Sequence, residues 1–336
     1  MTDVKKLNIV LAGQANVGKS VIFNHLTGLN QHVRNWPGKT IEKAEGVLFY
    51  NGYTFHVLDL PGIYSLTSFS IEELISRECI VDQKPNFVIN VVDSTNLERN
   101  LLFTIQLLEL GKPMVVALNM IDLARKKGIE IDIQKLKKIL GVSVVETIAS
   151  RRYGLTDVLD QGIQLNEIKQ AYKVLKYGRE VENRIEILCK AFSGINLPYP
   201  GRWLAIKLLE KDEAIKKSIQ AKNPEVLENT ETLCKELENI HGHDSSIVIA
   251  DERCHLVSHI VEEAVNIIKP ERISFNERID NITSHRIFGY PVMIVILVLM
   301  FLIILKFGNW LSSWLEIASA SLQTWWETLF GISFIA

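Results

Sequence analysis

The residues best suited to chemistry form one loop sequence: Gly13, Gln14, Ala15, Asn16, Val17, Gly18, Lys19 and Ser20. They fit the pattern G-x-x-x-x-G-K-[ST]. An apolar run at 7–11, typical of a buried strand, precedes them, and a helical stretch that begins with Val21 follows. Backbone N–H groups and a helix dipole at such a junction favour a bound anion. The pattern predicts a phosphate-binding loop in which Lys19 reaches the β- and γ-phosphates and Ser20 ligates magnesium.

Two further segments complete the predicted phosphate site. Asp59-Leu60-Pro61-Gly62 fits D-x-x-G at a strand end, so Asp59 would hold magnesium through water and the Gly62 N–H would contact the γ-phosphate. The segment 33–40 between the motifs is rich in turn residues and is predicted to be a switch loop. Its candidate nucleotide contacts are Gly38, Lys39 and Thr40, with Thr40 ordered by magnesium and the γ-phosphate. An ordinary loop hydroxyl is the alternative interpretation of Thr40.

A base-reading motif follows the apolar run 114–118. Asn119-Met120-Ile121-Asp122 fits N-x-x-D, in which the Asp122 carboxylate accepts two N–H donors that guanine has and adenine lacks. Ile121 stands where GTPases usually have a lysine whose aliphatic stem packs on the base, and we expect the loss of that stem to weaken nucleotide affinity. The least specific element is Thr147, Ile148 and Ala149, where the Ala149 N–H would face the guanine carbonyl.

Hydrolysis of GTP needs a group that orients water or supplies positive charge. The residue after D-x-x-G is Ile63, which cannot orient water as a glutamine does. Arg34 in the switch loop is one candidate for the charge. Asn16 is another, because several GTPases use an asparagine at this loop position to bind potassium between the phosphates. We therefore expect slow, potassium-stimulated hydrolysis, with Asn16, Lys19, Thr40 and Gly62 as the catalytic residues.

The elements that position these motifs alternate between strand and helix over residues 1–166. Strand candidates lie at 7–11, 87–92, 114–118 and 142–148, with helices at 98–110 and 133–140. This order predicts an α/β fold: a parallel sheet of the Ras-like P-loop GTPase type, with helices on both faces. Asn51-Gly52 between two apolar runs predicts a two-residue hairpin and hence one antiparallel edge strand.

Residues 167–270 carry helical patterns at 180–192, 202–209, 224–240 and 247–268 and predict a small all-α domain. A linker at 271–287 then leads to a predicted transmembrane helix at 288–307, in which the run 288–305 carries no charge and is long enough for one membrane crossing. A buried core helix is the alternative. The basic residues before this stretch place the preceding domains in the cytoplasm. Residues 308–336 are rich in tryptophan and predict an amphipathic, interfacial segment at the start of a truncated membrane domain.

The bulk composition excludes some classes of function. The 336 residues carry a net charge of −2, so nothing favours nucleic acid as a partner. The four cysteines show no C-x-x-C spacing and indicate reduced thiols. His241, His243, His255 and His259 suggest a metal site, but solvent-facing side chains of a helical domain are the preferred interpretation.

Taken together, the motifs resemble those of FeoB, the bacterial ferrous-iron transport family. The matching stretches are GQANVGKS, VRNWPGKT, DLPGIYSL, NMID, the helical-domain run PGRWLAIKLL at 200–209, and the segments 272–282 and 285–291. The resemblance covers residues 7 to about 305. It implies a GTPase domain, a helical domain that slows GDP release, and the beginning of a polytopic membrane domain that carries the iron path and is mostly absent here.

The resemblance also implies cofactors, partners and a location. The cofactors are GTP or GDP, magnesium and potassium. The partners are the remaining membrane domain, membrane lipid, small cytoplasmic Feo proteins and further copies of the chain. The implied location is the inner membrane of a bacterial or archaeal cell, with residues 1–287 on the cytoplasmic face. Two alternatives stay open: a membrane-anchored regulatory G protein without transport activity, and a ribosome-assembly GTPase, which the membrane segment disfavours.

Overall fold

The computed structural model describes residues 5–28, 31–36, 42–66, 70–168, 173–192, 198–220, 223–268 and 289–330. The chain divides into two compact units, residues 1–269 and 270–336. The switch-loop residues Gly38, Lys39 and Thr40 lie outside the described residues, as does the predicted linker at 271–287.

The first unit begins with a mixed α/β region. Its strands are β1 (Lys5–Gly13), β2 (Gln31–Asn35), β3 (Glu42–Tyr50), β4 (Tyr53–Asp59), β5 (Phe87–Asp93), β6 (Met114–Asn119), β7 (Ile129–Ile131) and β8 (Ser143–Glu146). Its helices are α1 (Lys19–Thr27), α2 (Ile71–Asp82), α3 (Leu97–Glu109), α4 (Ile121–Lys126), α5 (Ile133–Leu140) and α6 (Leu155–Ile168). Strand and helix alternate along most of this region, as the sequence predicts.

Seven of these strands form one sheet in the order β2-β3-β4-β1-β5-β6-β8. β1, β4, β5, β6 and β8 pair in parallel, whereas β3 runs antiparallel to both of its neighbours. The predicted Asn51-Gly52 hairpin joins β3 to β4, and the antiparallel strand is therefore confirmed. The expectation of a loop from residue 33 was wrong in part, because Val33, Arg34 and Asn35 belong to β2, whose backbone pairs with β3 at the sheet edge.

A helical region completes the first unit with α7 (Arg179–Ala191), α8 (Gly201–Leu209), α9 (Glu213–Gln220), α10 (Pro224–His241) and α11 (Ser245–Ala264). The helix predicted to reach residue 268 stops at Ala264. The next residues form β9 (Val265–Ile267), which pairs antiparallel with β7. An apolar cluster runs from the sheet face under α2 and α3 into this region, where Trp203 is fully buried. The two regions thus share one core; their division at residue 166 stays a prediction.

The second unit contains one long helix, α12 (Gly289–Phe330), of 42 residues. Among the described residues it alone is long and apolar enough to cross a membrane, with a mean hydropathy of 2.7 over its most apolar part. The sequence places a boundary at residue 307, but the helix continues through it. The interfacial role of residues 308–336 stays a prediction.

Candidate nucleotide-binding site

The predicted phosphate loop joins the end of β1 to the start of α1. Gly18 has a φ of +89° and caps α1, and its carbonyl accepts the Ile22 N–H at 3.1 Å. Asn16 also has a positive φ, +66°, a conformation that asparagine tolerates better than most residues, and its side chain is exposed. The backbone therefore turns sharply before the helix, which leaves the N–H groups of the first turn of α1 available to an anion.

A single buried amide holds three of the predicted motifs together. The Asn119 Nδ2 donates to the Val17 carbonyl at 2.8 Å, and the Asn119 Oδ1 accepts the Ala149 N–H at 2.9 Å. Behind it, the Ser94 hydroxyl donates to the Asn119 carbonyl at 2.5 Å. A Cβ on Gly18 would lie 2.4 Å from the Asn119 Nδ2, so only glycine fits this close approach. Sequence reasoning did not identify Ser94 as part of this arrangement.

The two charged groups of the phosphate side are in direct contact. The Lys19 ammonium group donates to the Asp59 carboxylate and to the Leu60 carbonyl. Lys19 is buried, and Asp59 is half-buried. Burial raises the pKa of Asp59, while the charge of Lys19 opposes that shift. The lysine of the phosphate loop and the carboxylate predicted to serve magnesium are thereby within reach of the same ligand.

The D-x-x-G motif lies against the phosphate loop. A Cβ on Gly62 would lie 3.1 Å from the Ala15 Cα, so the glycine permits the approach. The following residue, Ile63, is buried in the core below the sheet. Its side chain packs and cannot orient water, as the sequence predicts.

The base-reading motif requires one correction. The sequence interpretation placed Ile121 at the position of the lysine whose stem packs on the base, but the Ile121 side chain is 1% exposed and belongs to the apolar core, so this position does not face a base. Met120 has a φ of +60° and is half-buried, and its Cε lies 3.8 Å from the Cβ position of Gly18. Met120 therefore has the better placement for contact with a bound base. Asp122, also half-buried, lies in the first turn of α4.

The fifth element is a tightly closed loop. Ile148 and Tyr153 form an isolated antiparallel bridge, and the Arg152 Nε donates to the His25 Nδ1 on α1 at 3.1 Å. The Ala149 N–H, expected to face the guanine carbonyl, donates instead to Asn119 in this structure. Thr147 is fully buried, and its hydroxyl lies 3.4 Å from the Asn119 Oδ1.

The other predicted contacts differ in exposure. Ser20 and Val21 are exposed in the first turn of α1, Pro61 is half-buried, and Val17 is buried. Gln14 is buried, and its Nε2 donates to the Arg99 carbonyl at 2.8 Å. The side chain of Gln14 therefore joins the phosphate loop to α3, which leaves only its backbone for a phosphate.

Buried ion pairs connect the α/β region to the helical region. Arg77 on α2 pairs with Asp212 at 2.9 Å, and both side chains are almost fully buried. Arg253 on α11 binds Glu109 of α3 through two nitrogens, at 2.8 and 2.9 Å, and also contacts Glu210.

Positive neighbours stabilise the ionised form of one of these carboxylates. Burial alone would raise the pKa of Glu210, but Lys207 and Arg253 hold it at about 2. Sequence reasoning missed the Arg77–Asp212 and Arg253–Glu109 pairs, because no local pattern joins residues more than a hundred positions apart.

The histidines of the helical region do not form a metal centre with neighbouring acidic groups. The His241 Nε2 lies 3.0 Å from Glu180, and the His259 Nε2 lies 3.5 Å from Glu263. Within the described ranges, no three histidine, cysteine or acidic side chains converge. His241, His243, His255 and His259 are all exposed, as expected of solvent-facing residues.

Comparison with known families gives two matches. A family model described as ferrous iron transport protein B matches residues 7–162. A second, described as the FeoB cytosolic helical domain, matches residues 177–266. The two matches divide where the α/β region gives way to the helical region.

Curated relatives match nearly the whole chain. An Fe(2+) transporter FeoB from Escherichia coli is 34% identical over 323 residues, which cover 95% of this chain and 41% of the relative. A fusion of Fe(2+) transport protein A and FeoB from Porphyromonas gingivalis is 33% identical and covers 92% of this chain and 38% of the relative. The chain thus spans about two fifths of the length of these relatives.

Solved structures agree with the same assignment. A GDP-bound mutant of the S. thermophilus FeoB G-domain is 32% identical, with a TM-score of 0.73, over 77% of this chain and 100% of that chain. The cytosolic domain of the T. maritima FeoB iron transporter in a GMPPNP form is 32% identical, with a TM-score of 0.67, over 77% and 99%.

Proposed function

The chain belongs to the FeoB family of ferrous iron transport proteins, and we propose that it binds and hydrolyses GTP to control Fe²⁺ uptake. Its α/β region has the P-loop GTPase fold of the FeoB G-domain. In this proposal the chain is the cytoplasmic module, with α12 as the first crossing of a membrane domain that conducts the ion.

One observation carries the nucleotide part of the proposal. The Asn119 amide joins the phosphate loop, the base-reading motif and the fifth element through hydrogen bonds of 2.8 and 2.9 Å. Residues from three distant parts of the chain thereby meet at one edge of the sheet, where the strands end. Relatives solved with GDP and with GMPPNP support guanine nucleotide as the ligand.

The residues present suit magnesium. Ser20 offers a hydroxyl and Asp59 a carboxylate, and hard oxygen donors of this kind are the ligands that magnesium prefers. We propose that these two, with Thr40, hold the ion, which neutralises charge on the β- and γ-phosphates. Lys19 would then exchange its contact with Asp59 for the phosphates.

The sequence of the phosphate loop and the burial of Ile63 support a potassium requirement. Because Ile63 is in the core, the chain needs another source of catalytic assistance. Asn16 is exposed on the turn of the phosphate loop, where its side-chain oxygen is available to a monovalent cation. We propose slow hydrolysis in which potassium held by Asn16 supplies the positive charge.

GTP hydrolysis in potassium and in sodium tests this proposal. The full chain in detergent is compared with Asn16→Gly, because glycine keeps the positive φ without strain whereas alanine would not. Turnover that depends on potassium and falls at least tenfold in the variant is expected. Equal turnover in both salts would remove potassium from the proposal, with Arg34 as the next candidate. A chain that binds no GTP would overturn the proposed function itself.

The remaining proposals concern the membrane and the partners. We propose an inner-membrane location with residues 1–287 in the cytoplasm, supported by the apolar helix α12. The family relationship supports a polytopic membrane domain as the main partner, with small cytoplasmic Feo proteins and self-association as further ones. Sedimentation of the chain with lipid vesicles, and its loss on deletion of residues 289–330, would test the membrane part.

A further inference from the structure

Two polar residues of α3 contact the segment that follows the D-x-x-G motif. Arg99 and Gln106 are seven positions apart, so they lie on the same face of the helix, two turns from one another. Their partners, Tyr64 and Leu66, belong to the short segment Ile63–Leu66. The segment is therefore attached to α3 at two points, immediately beyond the predicted γ-phosphate contact, Gly62.

Arg99 contacts both the segment after Gly62 and the phosphate loop. Its guanidinium lies over the Tyr64 ring, with the Cζ 4.5 Å from the ring centroid. This distance is within the range in which a cation is attracted to an aromatic face. Its backbone carbonyl accepts the Nε2 of the buried Gln14, at 2.8 Å, from the phosphate loop. One residue thus connects the segment after Gly62 to the loop that would hold the phosphates.

Gln106 makes the second attachment. Its Oε1 accepts the Leu66 N–H at 2.5 Å, and both residues are buried. A buried backbone N–H without a partner is costly, so this acceptor determines where the segment lies. Between the two attachments the Ser65 hydroxyl donates to Glu73 of α2 at 2.7 Å.

We propose that Arg99 and Gln106 are positioning residues for GTP hydrolysis. They hold Ile63–Leu66 against α3 and thereby keep Gly62 next to Ala15 of the phosphate loop, where its N–H meets the γ-phosphate. This inference rests on the proposed GTPase function. Because GDP has no γ-phosphate, the two residues act on turnover and have little effect on GDP affinity.

The test compares turnover with GDP affinity in the full chain in detergent. Arg99→Ala and Gln106→Met, which has similar length but no acceptor, are each expected to lower kcat about three- to tenfold. The dissociation constant for a fluorescent GDP analogue is expected to stay within about twofold of the wild-type value. Arg99→Lys keeps the positive charge and Tyr64→Phe keeps the aromatic ring. Each of these variants is expected to retain most of the wild-type turnover.

A double variant separates the stacking contact from general damage. Arg99→Ala combined with Tyr64→Leu is expected to lose no more turnover than either single change, because both changes remove the same contact, that of the Arg99 guanidinium with the Tyr64 ring. Glu98→Gln, an exposed change on the same turn of α3, is the matched control and is expected to leave both quantities unchanged. Thermal unfolding verifies that each variant is folded.

Two results would overturn the inference. One is wild-type kcat in Arg99→Ala and Gln106→Met. The other is a loss of GDP affinity as large as the loss of kcat, which indicates general damage to the site. If the wild-type chain itself neither binds the GDP analogue nor hydrolyses GTP, the proposed function fails instead.

Discussion

The nucleotide site and the contact with the helical region are held together by different chemistry. At the site, the buried hydrogen bonds are between neutral groups, namely one asparagine amide, backbone carbonyls and N–H groups, with the Lys19–Asp59 ion pair as the charged exception. At the contact between the regions, the buried interactions are ion pairs. Arg77 pairs with Asp212, and Arg253 with Glu109 and Glu210, all with little exposure to solvent.

This difference determines what each region can tolerate. A neutral hydrogen bond can exchange its partner for water or a ligand at a net cost of about 1 kcal/mol. A buried ion pair cannot lose one member so cheaply, because the remaining charge stays in an apolar surrounding. The hydrogen bonds of the site can therefore be exchanged for bonds to a ligand at low cost, whereas the ion pairs between the regions keep their partners.

The largest expected effect is at the fixed contact. Arg253→Met leaves the Glu109 carboxylate buried without its cation and Glu210 with Lys207 alone, and should lower the free energy of unfolding by about 3–5 kcal/mol. Urea unfolding of the chain, followed by tryptophan fluorescence, measures this quantity. A loss below about 1 kcal/mol would contradict the comparison, since it would show that these buried charges are as exchangeable as the neutral ties.

The second prediction concerns ligand choice. Asp122→Asn replaces an acceptor by an amide that donates, so guanine loses its partner for two N–H groups, at a cost of about 2–3 kcal/mol. GDP affinity should fall about 30- to 150-fold, whereas xanthosine diphosphate, with a carbonyl in that place, should bind better. Competition of the two nucleotides against a fluorescent GDP analogue measures the selectivity. Unchanged preference for GDP would remove Asp122 from base recognition.

The smallest expected effect comes from a charged pair at the surface of the site. Arg125 binds Glu146 at 2.7 Å, but the Arg125 side chain is 58% exposed. Arg125→Met should change the free energy of unfolding by less than about 1 kcal/mol, because water screens such pairs. It is the matched control for Arg253→Met, and the same urea experiment applies. Equal losses in the two variants would show that burial does not distinguish them.

Much of the site could be predicted because its residues lie in short motifs at strand ends. The order of strands and helices, the hairpin at Asn51-Gly52 and the clustering of the 13–20, 59–62 and 119–122 motifs all follow from local patterns. The burial of Ile121 could not be predicted, because one sequence cannot show which side of α4 faces the core. Met120 was named only as a general nucleotide contact, without its place beside Gly18.

What could not be predicted depends on contacts distant in sequence. Arg77 and Asp212 are 135 positions apart, and the residues around neither of them indicate the other as its partner. Gln14 was predicted to contact the nucleotide, yet its side chain donates a hydrogen bond to the Arg99 carbonyl of α3. The end of α11 at Ala264 was missed because the next residues gain strand pairing with β7, which no local pattern of residues 265–267 indicates.

The small sheet formed by β7 and β9 has a mechanical consequence. β9 is the last described strand before residues 269–288, and bonds flank its pairing with β7: the Ile268 N–H to the Gly128 carbonyl at 2.7 Å, and the Asp132 N–H to the Ala264 carbonyl at 2.8 Å. Tension on the chain beyond Ile268 therefore loads β7 directly. Because β7 follows α4, whose first turn carries Asp122, a pull from that side reaches the base-reading segment within ten residues. The helical region need not transmit it.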